Sequence, residues 1–175
     1  MVELRIVDVR VHESTRSPYV EVRPLDGTDR MLPIFVGMPE AAAIKRALEE
    51  RLLPRPLTHE LLASLIPTFG ARLDQVVITE FVDKVFHAEM HFSLGDRRET
   101  VPCRPSDAMA IALRLGAKVF ANDVVLDLCA VADSDDPLAD DTEQSDEKVD
   151  PDELVEEFNR FLDTLRPEDF GGETP

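Results

Sequence analysis

Hydrophobic and polar positions alternate along several short stretches of the chain, and this period of two predicts β-strands. The alternation is clearest over residues 85–94, where one face is apolar and the other carries two histidines and a glutamate. Similar stretches, bounded by turn residues, predict strands over residues 2–12, 18–24, 31–36, 75–82, 98–103 and 118–121. Residues 124–128 continue as an apolar run.

Apolar residues recur at helical spacing in three other segments, which begin near Pro39, Thr58 and Pro105. A proline suits the first turn of a helix, and the Thr58 hydroxyl offers an N-cap for the second segment. The second segment carries Leu61, Leu62 and Leu65 at its apolar positions, and the third stops at Gly116.

The chain also contains a short internal repeat at an offset of about 67 residues. Asp29-Arg30 matches Asp96-Arg97, and the helix that begins around Glu40-Ala41 matches the one around Asp107-Ala108. Each half is predicted to contain a strand, a turn, a second strand and a helix that begins at a proline. We therefore expect an α+β fold with a mixed, mostly antiparallel sheet and helices, built from a duplicated strand–turn–strand–helix unit.

Charge divides the chain into a balanced part and an acidic part. The net charge of the whole chain is −17, and residues 130–175 hold 17 acidic and 3 basic side chains. We predict one domain over residues 1–131, an acidic disordered linker over 132–149, and an amphipathic helix and tail over 150–175. An acidic tail repels phosphate backbones at long range, which counts against tight non-specific DNA binding by the whole chain.

Cysteine usage and the N-terminus bear on location. The chain has two cysteines, Cys103 and Cys129, and no CxxC pair, so neither a disulfide scaffold nor a thiolate zinc site is expected. No stretch approaches the ~18 apolar residues that span a bilayer, and the charged N-terminus lacks a signal-peptide pattern. We expect a cytoplasmic protein that does not enter a membrane.

The segment from Arg55 to Glu60 is the first that could carry chemistry. Two prolines stiffen its entry, and a helix N-terminus favours anions, so a phosphate could bind beside Arg55. His59 could act as a general acid or base near neutral pH. The alternative is a well-capped helix whose polar first turn faces water.

The segment from Arg104 to Asp107 repeats this arrangement at another helix start. Arg104 could contact a phosphate, and Asp107 could serve as a base or metal ligand. The alternative is that Ser106 or Asp107 merely caps the helix.

Two further groups of residues are weaker candidates. His87, Glu89 and His91 share one face of a strand and could hold a divalent metal, but an ordinary solvated face is the favoured interpretation. Cys103 lacks a base nearby in sequence, so we expect a buried small residue at a strand end rather than a nucleophile.

At these segments the chain resembles the bifunctional nuclease domain family of bacteria and plants. The resemblance covers about residues 1–130 and rests on three stretches, Leu32-Pro33-Ile34-Phe35-Val36-Gly37 with Glu40-Ala41 and Ile44, Pro54-Arg55-Pro56-Leu57-Thr58-His59, and Arg104-Pro105-Ser106-Asp107-Ala108 with Ile111-Ala112. The chain departs from the family pattern at Glu60, where Asp is common, and at Pro102, where an acidic residue is usual. The absence of a carboxylate at position 102 weakens a metal-assisted mechanism.

The resemblance implies a nuclease that hydrolyses phosphodiester bonds in DNA and RNA, as a homo-oligomer with a dimer favoured, and with Mg²⁺ or Mn²⁺ as a possible cofactor. The catalytic candidates are His59, Glu60, Asp107 and Glu40, and the substrate-binding candidates are Arg55, Thr58, Arg104 and Ser106. The resemblance implies all of them except Glu60, which is a candidate because its carboxylate follows His59.

A non-enzymatic protein-binding or regulatory module is the alternative, because the predicted domain has little net charge and no basic stripe. In either case a single amphipathic helix after an acidic linker should dock on its own domain, on a second copy or on a partner protein.

Overall fold

The computed structural model describes residues 1–51 and 53–132, and within them it contains eight strands and four helices. The strands are β1 (Val2–Val11), β2 (Pro18–Pro24), β3 (Arg30–Phe35), β4 (Ala71–Val82), β5 (Val85–Leu94), β6 (Arg97–Cys103), β7 (Lys118–Ala121) and β8 (Val131–Ala132). The helices are α1 (Met38–Leu48), α2 (Thr58–Thr68), α3 (Pro105–Leu115) and α4 (Asp123–Cys129).

All eight strands belong to one mixed sheet in the order β6-β5-β4-β7-β1-β2-β3-β8. Every neighbouring pair is antiparallel except β4 and β7, which run parallel. This confirms the predicted α+β class with a mostly antiparallel sheet. β2, β3 and α1 follow one another in the same order as β5, β6 and α3, and the origin of the two halves by duplication stays a prediction.

The core lies where helices α1 and α3 cover the sheet. Val20 and Val22 of β2 and Leu32 of β3 are fully buried, as are Ile44 of α1 and Met109 of α3. Helix α3 packs against both α1 and α2 as well as against β4 and β5. It is therefore the element that holds the beginnings of the other two helices in place.

The elements differ from the sequence prediction in several places, which include the short strand β8. Strand β4 begins at Ala71 rather than at residue 75, because it pairs with β5 along its whole length, from Ala71 opposite Leu94 onwards. The apolar run at residues 124–128 lies within helix α4. Helix α2 begins at Thr58 itself, with Leu57 at the N-cap position and no side-chain cap. The predicted capping role of Thr58 is therefore wrong.

Helix α2 carries an unusual amount of apolar surface. Its stripe of Leu57, Leu61, Leu65 and Phe69 is between 36% and 74% exposed, and Leu62 beside it is 43% exposed. Small or partly buried residues such as Ala63 make the contact with the rest of the domain. The leucines that mark the helix in the sequence thus lie on the surface.

The predicted linker, apart from Ala132, and the whole predicted C-terminal helix lie outside the described residues. Within the part of the chain that is described, no helix combines the length and the apolar character needed to cross a membrane.

Candidate functional site

The two motifs singled out in the sequence meet in space. His59 is the second residue of α2 and Asp107 is the third residue of α3. His59 Nε2 lies 2.9 Å from Asp107 Oδ1. An acid–base partnership requires contact at this distance or through one water, so the two helix starts can form one site.

Arg104 extends this contact to a third helix. It precedes α3, and its Nε and Nη2 donate to Asp107 at 2.8 and 3.0 Å. Nη2 also donates to Glu40 Oε1, in the first turn of α1, at 2.7 Å. We refer to His59, Asp107, Arg104 and Glu40 as the central cluster. It joins the N-terminal turns of α1, α2 and α3.

The electrostatics of the central cluster keep its carboxylates ionised. Burial, the largest influence on Asp107, raises its pKa, but hydrogen bonds from Arg104 and His59 outweigh burial and hold the pKa below its usual value. Hydrogen bonds from its own backbone N–H and from Arg104 lower the pKa of Glu40. The pKa of Arg104 is raised because Asp107 and Glu40 accept its hydrogen bonds.

An ionised Asp107 fixes the protonation of His59. A carboxylate only accepts hydrogen bonds, so Nε2 of His59 must carry the proton in this contact. In the neutral ring Nδ1 is then an acceptor, and no described residue hydrogen-bonds to it. The His59 side chain is 17% exposed. The arrangement therefore leaves Nδ1 available to accept a proton, while Nε2 contacts the carboxylate that Arg104 also binds.

Gly37 makes room for the carboxylate of Glu40. A Cβ at position 37 would stand 2.5 Å from Glu40 Oε2, which is closer than real Cβ atoms approach. The backbone of Gly37 is extended, with φ −69°, so a larger residue would be opposed by the Glu40 carboxylate, which would have to move, and not by the backbone conformation.

Glu60 lies outside the central cluster. Its Oε1 accepts from Arg114 Nη2 at 2.6 Å, and its Oε2 accepts from the Leu57 backbone N–H at 2.9 Å. The side chains of Glu60 and Arg114 are only 10% and 11% exposed. Glu60 thus links the start of α2 to α3, and its predicted catalytic role stays a prediction.

The remaining candidates are near members of the central cluster in sequence and do not belong to it. Arg55 and Thr58 are exposed, and their side chains make no hydrogen bond or ion pair with a described residue. Ser106 is buried at 7% exposure, between Arg104 and Asp107 in sequence. Neither Ser106 nor Asp107 caps α3, whose N-cap is Arg104 without a side-chain cap.

The strand histidines do not assemble a metal site. His91 Nε2 lies 3.4 Å from Glu89, and its Nδ1 lies 3.4 Å from the Thr100 hydroxyl. Among residues 1–51 and 53–132, no group of three His, Cys, Asp or Glu side chains is placed to hold a metal ion. In the central cluster, Arg104 already pairs with both carboxylates, so these residues do not fit a metal as they stand.

Cys103 ends β6 and is half-buried, as expected from its place at a strand end. Burial raises the pKa of its thiol to about 11, and the thiolate is therefore scarce near neutral pH.

Sequence reasoning missed Arg114, and it gave Gly37 no role beyond its place in the family pattern. Arg114 lies in the last turn of α3, 54 residues from Glu60, and nothing local indicates its partner. Gly37 had a signal, because a glycine stands at the cap position before the Pro39-Glu40 helix start.

Comparison of the sequence with known proteins identifies the family. The model of the bifunctional nuclease domain matches residues 23–134. An uncharacterized protein of Mycobacterium tuberculosis is 40% identical over 172 residues, which cover 97% of this chain and 98% of that protein. Bifunctional nuclease 1 of Oryza sativa subsp. japonica is 26% identical over 117 residues, or 65% of this chain and 35% of the rice protein. Bifunctional nuclease 1 of Arabidopsis thaliana is 27% identical over 108 residues, or 60% of this chain and 33% of the plant protein. The chain belongs to the bifunctional nuclease domain family.

Proposed function

We propose that the chain is a nuclease that hydrolyses phosphodiester bonds in DNA and RNA at the central cluster. The observation that carries this proposal is the hydrogen bond of 2.9 Å between His59 and Asp107, with Arg104 bound to the same carboxylate. Together they supply a base, its orienting group and a positive charge within one contact network. Phosphodiester hydrolysis needs these functions.

Each member of the central cluster then has a chemical role. His59 Nδ1 takes a proton from the attacking water while the water oxygen forms the new bond to phosphorus. The bond to the leaving oxygen breaks, and that oxygen takes up the proton. Asp107 holds the imidazole in the required tautomer. Arg104 Nη1, which hydrogen-bonds to no described residue, can bind a phosphate oxygen.

Substrate binding extends to Arg55 and Thr58 in this proposal. Both are exposed and precede or begin α2, whose N-terminus favours a phosphate. Glu40 acts by holding Arg104. A metal ion, which the family resemblance raised as Mg²⁺ or Mn²⁺, would have to displace Arg104 from a carboxylate, so no step of the proposal runs through one.

A cleavage assay on the purified chain tests the proposal, with plasmid DNA and a single-stranded RNA as substrates. We compare EDTA with Mg²⁺ and Mn²⁺, and the wild type with His59→Gln and with His91→Gln as the matched control. His91 lies on β5, away from the central cluster, and its substitution should leave cleavage unchanged. We expect His59→Gln to lose at least about a hundredfold in rate. Equal rates in all three proteins would refute the assignment of His59.

A protein-binding module is the second candidate, and one observation favours it. The exposed stripe of α2 is larger than the scattered apolar residues of an ordinary surface. Absence of cleavage on both substrates under all three conditions would favour this function over the nuclease.

Self-association and location complete the proposal. The same stripe on α2 supports a homodimer, and light scattering at micromolar concentration tests it, since a monomer would contradict it.

The two free thiols support a cytoplasmic location.

A further inference from the structure

Arg104 lies between the two carboxylates of the central cluster. Its Nη2 donates to Glu40 Oε1 at 2.7 Å and to Asp107 Oδ1 at 3.0 Å, and its Nε donates to Asp107 Oδ2 at 2.8 Å. A divalent metal ion held by the same two carboxylates would contact the same oxygens, at roughly 2.0–2.6 Å. The guanidinium and a metal ion would therefore compete for one position.

Arg104 is the most exposed member of the central cluster. Its side chain is 65% exposed, whereas those of Glu40, Asp107 and His59 are 14%, 28% and 17% exposed. An ion that arrives from solvent would have to displace the guanidinium from the oxygens that it contacts. The ion would also bind beside a positive charge, because a guanidinium does not lose its proton in proteins.

The proton on His59 opposes a metal ion as well. Nε2 donates to Asp107, so this nitrogen carries a proton and has no lone pair to offer to a metal. Nδ1 keeps its lone pair. A site without a metal-bound hydroxide needs such a base to activate water. The protonation of His59 therefore suits a cluster whose cation is a guanidinium.

We propose that Arg104 takes the place of a divalent metal ion in the central cluster and excludes Mg²⁺ and Mn²⁺ from it. This inference rests on the proposed function for the phosphate that the guanidinium would meet. Arg104 supplies a fixed charge and directed N–H groups for phosphate oxygens, and His59 alone activates the water. The cluster thus disagrees with the metal cofactor that the family resemblance implies.

Titration of the full chain with Mn²⁺ tests the exclusion without catalysis. An Mn²⁺ ion bound at the cluster broadens the NMR signals of the His59 ring, which report this site and not the whole chain. We expect Arg104→Gln to bind Mn²⁺ at His59 at least about tenfold more tightly than the wild type, because a competing charge is gone. Arg104→Met repeats the test without an amide that could bind the carboxylates.

Three further variants separate exclusion from a general effect of charge. Arg104→Lys keeps the positive charge and should stay close to the wild type. Arg97→Gln is the matched control, because it removes the same charge from an exposed pair with Glu99 and should leave the His59 signals unchanged. Adding Asp107→Asn to Arg104→Gln should abolish the gain. The acidic C-terminal residues are identical in every variant, so they do not cause a difference between variants.

The inference is overturned if the wild type binds Mn²⁺ at His59 as tightly as Arg104→Gln does, or if Arg104→Gln and Arg104→Met gain no more affinity than Arg97→Gln. The cleavage assay separates the two proposals, since wild-type cleavage should persist in EDTA. Cleavage that requires a metal ion, together with Mn²⁺ binding at His59 in the wild type, would keep the nuclease and remove the inference. Exclusion of Mn²⁺ by the wild type, with the gain in Arg104→Gln but no cleavage, would do the reverse.

Discussion

Replacing Arg114 by Met tests how α2 is held against α3. Arg114 and Glu60 are 11% and 10% exposed and 2.6 Å apart. Loss of the guanidinium would leave the Glu60 carboxylate buried without its charge partner, which typically costs 3–5 kcal/mol. Glu60 keeps the hydrogen bond from the Leu57 N–H, so we expect the lower end, about 3 kcal/mol.

Urea unfolding followed by circular dichroism at pH 7 measures this loss directly, and thermal unfolding should show a fall in Tm of about 10 °C. The double variant with Glu60→Gln and Arg114→Met removes both charges from the interior. It should lose less free energy of unfolding than Arg114→Met alone, because no unpaired charge remains.

The matched control is Arg97→Met. Arg97 pairs with Glu99 on the surface, where the two side chains are 73% and 48% exposed, so its loss should change stability by less than about 0.5 kcal/mol. The reasoning is refuted if Arg114→Met costs no more than Arg97→Met, or if the double variant is no more stable than Arg114→Met. A stable Arg114→Met protein with reduced cleavage would further show that this pair positions His59.

Three other predictions concern single groups. Gly37→Ala should displace the Glu40 carboxylate and return the pKa of Glu40 towards its ordinary value, as read by NMR titration; an unchanged pKa would contradict the steric argument. The pKa of Asp107 is lower in the folded protein than in the unfolded chain, so its contribution to stability is complete above about pH 4 and declines as the pH falls through the folded pKa. Wild type should therefore lose more free energy of unfolding than Asp107→Asn between pH 6 and pH 3 in urea titrations, and parallel losses would count against the pairing. Cys103, with a thiol pKa of about 11, should react with a disulfide reagent at pH 8 more slowly than a free cysteine does, and reaction at the free rate would contradict its burial.

Most of the fold could be predicted from the sequence, because the strands either alternate apolar and polar residues, as β5 does, or form apolar runs between turn residues, as β2 and β3 do. The first residues of β4 could not, since Ala71 joins the strand through its pairing with Leu94 and not through its own pattern. Hydrophobicity also identified Leu61 and Leu65 as helical without indicating that they face solvent. A residue's side-chain type reports its preference for burial, whereas tertiary packing decides which face is covered.

The site could be predicted motif by motif but not as an assembly. His59 and Asp107 are both apparent as polar residues at helix starts, yet their contact spans 48 positions and depends on how α2 packs on α3. Glu60 illustrates the same limit. It is as conspicuous as His59 in the sequence, and only the structure shows that its carboxylate is buried in an ion pair with Arg114.

Helices α1, α2 and α3 each have an acidic residue at their third position, and the three carboxylates differ in their hydrogen-bond partners. Glu40 accepts from its own backbone N–H and also holds Arg104. Glu60 accepts from the backbone of α2 and is otherwise buried in an ion pair. Asp107 makes no described hydrogen bond to the helix backbone, so both of its oxygens serve side chains. A carboxylate whose oxygens accept hydrogen bonds from its own helix backbone has fewer oxygens free for other side chains. Both oxygens of Asp107 are free of the backbone, and one of them accepts from His59. This difference in hydrogen bonding, and not the shared position in the helix, is the reason that our proposal assigns to Asp107 the orientation of His59.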